Sequence, residues 1–207
     1  MRLRHDDAGQ AFPIYITVVG GLLFLAFAYL AVGQAAASRN STQTAADAAA
    51  LAAAQDTRDV LAGEWVRDVL DPTKWGDLLD GDAAVLDGCA RAYQLAGRNG
   101  SHVLDCAPRL ADLSYTVRVQ KNDPVGDTIV PGTEGTYAKA SAKAVIEPLC
   151  TFVPPAGGGE DTGDPGDPAD IVLPKLTCKD DRNWDLDPDH LTGLPEPKDL
   201  FDVHLAD

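Results

Sequence analysis

The chain has 207 residues, and 32 Asp and Glu against 17 Lys and Arg leave a formal net charge of −15. That length suits one ordinary domain with an appendage. The acidic balance argues against nucleic acid as a partner, because phosphate recognition needs a basic patch that releases counterions.

The charge is unevenly spread. Arg2, Arg4, Asp6 and Asp7 are the only charged groups before Arg39, and they cancel, so the whole negative excess lies beyond them. Residues 1–13 form a short charged start. No charged residue occurs from Ala8 to Ser38, and residues 14–37 are long enough as a helix to cross a hydrocarbon core of ~30 Å. Pro13 suits the first turn of that helix, where its missing N–H is not needed. Tyr15, Gly20, Gly21, Phe24 and Phe27 are the candidate anchor residues, with Tyr15 and Tyr29 as aromatic groups for the interfaces. More Lys and Arg flank the N-terminal end, which predicts a cytoplasmic N-terminus and an extracytoplasmic bulk. A cleaved signal peptide ending at the AAA of 35–37 is the alternative. The apolar run is longer than the usual signal core, which favours the uncleaved anchor.

Residues 38–71 contain the tract QTAADAAALAAAQ at 43–55. Alanine is the best helix former because ordering it costs no side-chain entropy. With no Pro before residue 72, the membrane helix is expected to continue to about Leu70, a rod of roughly 85 Å. The small side chains of Ala45, Ala46, Ala49 and Ala53 allow another helix to approach closely. Three readings stay open: a stalk packed on partner helices, a spacer, and a helix lying on its own domain. The stalk reading expects bulky replacements at Ala49 or Ala53 to spoil assembly and leave the head folded.

The region 72–153 reads as a small α+β unit, a helix packed across a three-stranded antiparallel sheet. Pro72 ends the rod. Asp82 is the expected N-cap of a helix carrying Val85, Leu86, Cys89, Tyr93 and Leu95, stopped by Gly97 or Gly100. SHVLDC is strand-like. LSYTVRVQ alternates, with Leu113, Tyr115, Val117 and Val119 on one face, and TYAKASAKAVIEP alternates with Ala138, Ala140, Ala142, Ala144 and Ile146 opposite Lys139, Ser141, Lys143 and Val145. Residues 154–170 are rich in Gly, Pro and Asp and read as a linker with no means of building a core. Residues 171–207 regain apolar character and are expected to fold back on the domain, with a last strand through LFDVHLA.

Cys89, Cys106, Cys150 and Cys178 include no C-x-x-C pair, which disfavours a zinc or thioredoxin-type motif. In an exported domain the even count suggests two disulfides, with three connectivities open. Sequential pairing, Cys89–Cys106 and Cys150–Cys178, closes the shortest loops and is favoured, each bond contributing about 3 kcal/mol. Four buried free thiols are the alternative.

No catalytic or metal-binding motif is complete in the sequence. DRNWDLDPDH at 181–190 alternates Asp181, Asn183, Asp185, Asp187 and Asp189. A calcium loop requires Gly and Glu where Leu186 and Thr192 stand. His5, His102, His190 and His204 are scattered, and nucleophile-elbow, zinc-protease and phosphate-loop patterns are absent. No catalytic residue, cofactor or metal is expected.

The charged start, then GQAFPIYITVVGGLLFLAFAYLAVGQ, then QTAADAAALAAAQ, resembles the N-terminal region of TadE/TadG-like tight-adherence (Flp-type) pilus-assembly proteins. The actinobacterial branch is the most similar, and AADAAALAAA is the most specific element. The resemblance covers residues 8–56 strongly, is compatible over 83–147, and is absent beyond about 150. It implies a non-enzymatic single-pass envelope protein that helps build or tether a pilus. Its partners would be the membrane and other assembly or pilin-like proteins met through helix packing, with homo-oligomers also open. Prepilin processing would want Glu at the fifth place after Gly9, where Ile14 stands, so the resemblance points to an assembly factor rather than a major pilin. The competing functional reading is an exported, signal-cleaved binding or hydrolytic domain.

Overall fold

In a computed structural model of the chain, residues 11–82, 87–124, 135–154, 173–179 and 182–206 are described. The fold is α+β. Helix α1 runs unbroken from Ala11 to Arg67, so the apolar run and the alanine tract are two halves of one element about 85 Å long. It stops three residues short of the expected Leu70. The chain then turns through Pro72–Lys74 into the short helix α2, Trp75–Leu79. The Asp68 carbonyl, just past the end of α1, accepts both the Asp71 N–H at 2.9 Å and Trp75 Nε1–H at 3.2 Å, which ties α2 back to the end of the long helix.

Helix α3 spans Cys89–Arg98, and its N-cap is Gly88 rather than the expected Asp82. The helix therefore begins seven residues later than Asp82. Val85 and Leu86 lie outside the described residues. Tyr93, expected on the apolar face, is exposed, while Ala92 and Ala96 are the buried positions. The reason is space: α3 lies on α1 through small residues, and a ring would not fit between them. A Cβ at Gly88 would come within 2.2 Å of the Ala53 carbonyl oxygen, so only glycine permits that approach.

Strands β1 (Ser101–Arg109), β2 (Ser114–Lys121) and β3 (Lys139–Pro148) form an antiparallel sheet. The C-terminal strand β7, Phe201–Leu205, adds a fourth strand beside β3, giving the order β1-β2-β3-β7. The last strand read in the tail thus joins the three-stranded sheet as its fourth member, pairing Ile146 with Val203. The strand alternation carries through: Tyr115, Val117, Val119, Ala144 and Ile146 are buried against the helices. A second antiparallel sheet of β4 (Cys150–Phe152), β5 (Leu176–Cys178) and β6 (Asn183–Trp184) lies beyond β3. Between β6 and β7 stands the single turn of α4, Pro197–Leu200. Its first turn is closed by a reciprocal cap, in which Asp199 Oδ2 accepts the Glu196 N–H at 3.0 Å. Most of the linker at 154–170 lies outside the described residues.

The core is a helix layer on a sheet layer. Along α1 most of the buried positions follow one stripe, Thr42, Ala45, Ala46, Ala49, Ala50, Ala53, Ala54, Thr57, Leu61 and Trp65, with Ala52 and Ala62 buried beside it. The side chains are small at the end nearest the apolar segment and large at the far end. There Trp65 and Trp75 rings pack at 5.2 Å, and Trp75 meets Phe152 at 5.4 Å. Disulfides Cys89–Cys106 and Cys150–Cys178 tie α3 to β1 and β4 to β5.

Candidate functional site: the anchor segment and its junction with the head

The first half of α1 is apolar around its whole circumference. An 18-residue window reaches a mean hydropathy of 2.2 with none of it buried in the protein. Phe24 is 72% exposed and Tyr29 83%. Tyr15 and Phe27 are also exposed, and a Cβ added at Gly20 or Gly21 would meet nothing within 4 Å. A helix with no polar face is stable when an apolar medium surrounds it, which makes this segment a candidate membrane span.

The character of α1 changes over about two turns after Ala35. Thr42 is fully buried and donates its hydroxyl to the Ser38 carbonyl at 2.7 Å, so its polar atom is satisfied within the helix. Gln43 Nε2 donates to Asp47 Oδ1 at 2.8 Å and to the Ser141 carbonyl of β3 at 3.2 Å. The only charge of the alanine tract is therefore held by a neighbour that also ties α1 to the sheet. Beside this contact an open groove of about 870 Å³ lies between α1 and the start of β3, lined by residues that include Ala36, Arg39, Asn40, Tyr137 and Lys139.

Ala45, Ala46, Ala49 and Ala53 are each 0% exposed. They contribute to the head's own core, with α1 lying against β2, β3 and α3. Of the three open readings, this burial is that of a helix lying on its own domain, and a bulkier side chain at these four positions must displace the sheet or α3. The sequence held the signal. The buried alanines recur at helical spacing, and the same stripe continues into Leu61 and Trp65, as core-facing helices do.

Further along, Tyr115 Oη of β2 lies 2.6 Å from Thr57 Oγ1 and accepts the Gly88 N–H at 3.1 Å. One buried hydroxyl thus joins α1, β2 and the start of α3. At the sheet's far end Lys143 pairs with Asp112 at 2.6 Å, and Ser114 donates to the same carboxylate at 2.8 Å. The hydrogen bond from Lys143, then that from Ser114, hold the Asp112 carboxyl below its ordinary value against a smaller opposing effect of burial.

No group of three or more His, Cys, Asp or Glu side chains converges among the described residues. His190 faces Asp187 and His204 faces Asp202, each at its own place on the surface. Asp181, the first residue of the acidic run, lies outside the described residues.

The architecture is that of a protein with one candidate membrane helix that continues into an acidic α+β head. Residues 9–56 match the model of the Tad family, described as "Putative Flp pilus-assembly TadE/G-like". The TadE/G-like resemblance is thereby shown over that segment, which covers the exposed apolar half of α1 and ends within the buried alanine half. No curated protein and no solved structure matches the chain.

Proposed function

We propose that this chain is a non-enzymatic, single-pass membrane protein of Flp/Tad-type pilus assembly, with its N-terminus cytoplasmic and its head outside. The observation that carries the reading is the continuity of the matched segment. Residues 9–56 lie almost wholly in one helix whose first half is exposed and apolar and whose second half is the head's core. A head attached this way cannot swivel on a linker, and its position and tilt follow those of the membrane helix. That suits a fixed element around which pilin-like subunits are handled. The greater number of Lys and Arg residues before the span supports the orientation.

The test is genetic and topological. In a host that makes Flp-type pili, loss of the chain should abolish or reduce piliation, and the full chain should restore it. Protease added to intact spheroplasts should cut the head and spare an N-terminal tag. Normal piliation without the chain would overturn the assembly role, and a head protected in spheroplasts would overturn the orientation.

A further inference from the structure

Because α1 enters the head without a linker, one end of the head is fixed beside the apolar segment. Arg39 is the first charge after the uncharged run that ends at Ser38, and it is exposed. Along the helix it lies ~3 Å beyond Ala37. The headgroup layer on each side of a bilayer is about 5–7 Å deep, so Arg39 falls within it.

Two strand ends reach the same level. β3 begins at Lys139, which lines the groove together with Arg39. Gln120 of β2 pairs with Lys139, and the next residue, Lys121, donates its amide to the Ala138 carbonyl at 2.9 Å. Arg39 and Lys139 are exposed and Lys121 is half-buried; among the described residues none of the three is in an ion pair. Tyr137, 41% exposed, lines the same groove as Arg39 and Lys139. Among the described residues, the acids close by in the chain or across the groove are Asp123, two residues past Lys121, and Asp47, which Gln43 engages.

The charge at the other end has the opposite sign. Asp68, Asp71, Asp77 and Asp80 cluster around the end of α1 and α2. Asp68 lies ~45 Å along the helix axis from Arg39. Screening over about 10 Å at 0.1 M salt makes those acids invisible to a surface at Arg39. A head with a net charge of −15 therefore turns basic groups to the one surface that its anchor obliges it to face.

We propose that Arg39, Lys121 and Lys139 form a basic collar that binds the anionic phospholipid headgroups of the bilayer entered by α1, with Tyr137 at the interface. Amphipathic rings and basic side chains are the groups that suit this depth. The collar would resist tilting of the helix, because tilt lifts one side of it off the headgroups. The proposal rests on reading the first half of α1 as a membrane span.

The experiment uses the full chain, with a photoactivatable benzophenone amino acid in place of Tyr137, reconstituted into phosphatidylcholine vesicles doped with phosphatidylglycerol. Flotation establishes insertion, and mass spectrometry identifies the lipid attached after illumination. The expected result is phosphatidylglycerol adducts enriched severalfold over that lipid's share. The enrichment should be lost in the R39Q/K121Q/K139Q variant, which should float and keep its far-UV circular dichroism. Adducts in proportion to lipid composition, unchanged enrichment in the triple variant, or no lipid adduct would overturn the collar and leave the anchor standing. A chain that does not float with vesicles would overturn the anchor and the collar together.

Discussion

Tyr115 Oη and Thr57 Oγ1 lie 2.6 Å apart in the core, and through this pair the sheet is bonded to the helix that carries the apolar segment. The same phenol accepts the N–H of Gly88, so the entry of α3 depends on it as well. Removing the phenol leaves both a buried hydroxyl and a buried amide without partners. We expect Tyr115→Phe to lower stability by about 2–3 kcal/mol, and Thr57→Val by less, because only one bond is lost. Thermal melts of the full chain in detergent should show the double variant to be less than additive. Additive losses would mean that the two residues do not share a bond.

Gly88 and the buried alanines set a second expectation. Gly88→Ala places a methyl group against the Ala53 carbonyl, a backbone atom that cannot rotate away. A loss of about 3 kcal/mol, at the upper end for overpacking, should appear in the same melts. Ala49→Leu and Ala53→Leu should each cost about 1–3 kcal/mol for the same reason. Gly20→Leu has open space around it and should leave the melt of the head unchanged.

Each disulfide joins two neighbouring elements of the head, α3 to β1 and β4 to β5. Cys150 and Cys178 are direct partners across β4 and β5, in the smaller sheet. Replacing both by serine should cost about 3 kcal/mol, since the unfolded chain regains the freedom of the opened loop. Alkylation of the unreduced protein, read by intact mass, should add no label, and reduction should expose four sites, Cys89, Cys106, Cys150 and Cys178. Label added before reduction would show a free thiol.

Asp112 gives a pH dependence of known sign. Its carboxyl is held low in the folded chain by Lys143 and Ser114, so the folded state binds a proton less readily than the unfolded state. That stabilisation is fully present above the ordinary carboxylate value of about 3.9 and is lost as pH falls through the lower folded value. The pair is more than one-third exposed on both sides, so solvent screening keeps its contribution below about 1 kcal/mol. Asp112→Asn should therefore remove a small part of the acid dependence between pH 4 and lower values, read as the difference in melting temperature from the parent chain. An unchanged acid limb would show that the pair contributes nothing.

Much of the chain's design could be read from the sequence because it rests on one-dimensional patterns. A span that meets lipid on every side must be apolar at every position, and residues 14–37 carry no charge. Strands with one face on a core alternate with period two, so Tyr115, Val117, Val119, Ala144 and Ile146 could be named as one face before any fold was known. The charge asymmetry along the chain was equally plain.

The destination of the alanine face was decided by the tertiary structure. A methyl group is compatible with lipid, a partner helix, solvent or a sheet, so alanine by itself does not choose a neighbour. The choice was made by β2, β3 and α3, which arrive from far along the chain and close on Ala45, Ala46, Ala49 and Ala53. The late start of α3 has the same origin. Asp82 offered a local cap, but α3 begins at the point where Gly88 can rest on the carbonyl of Ala53. Local propensity determined that these segments are helices, and close contact between distant backbones determined where they begin and what they touch.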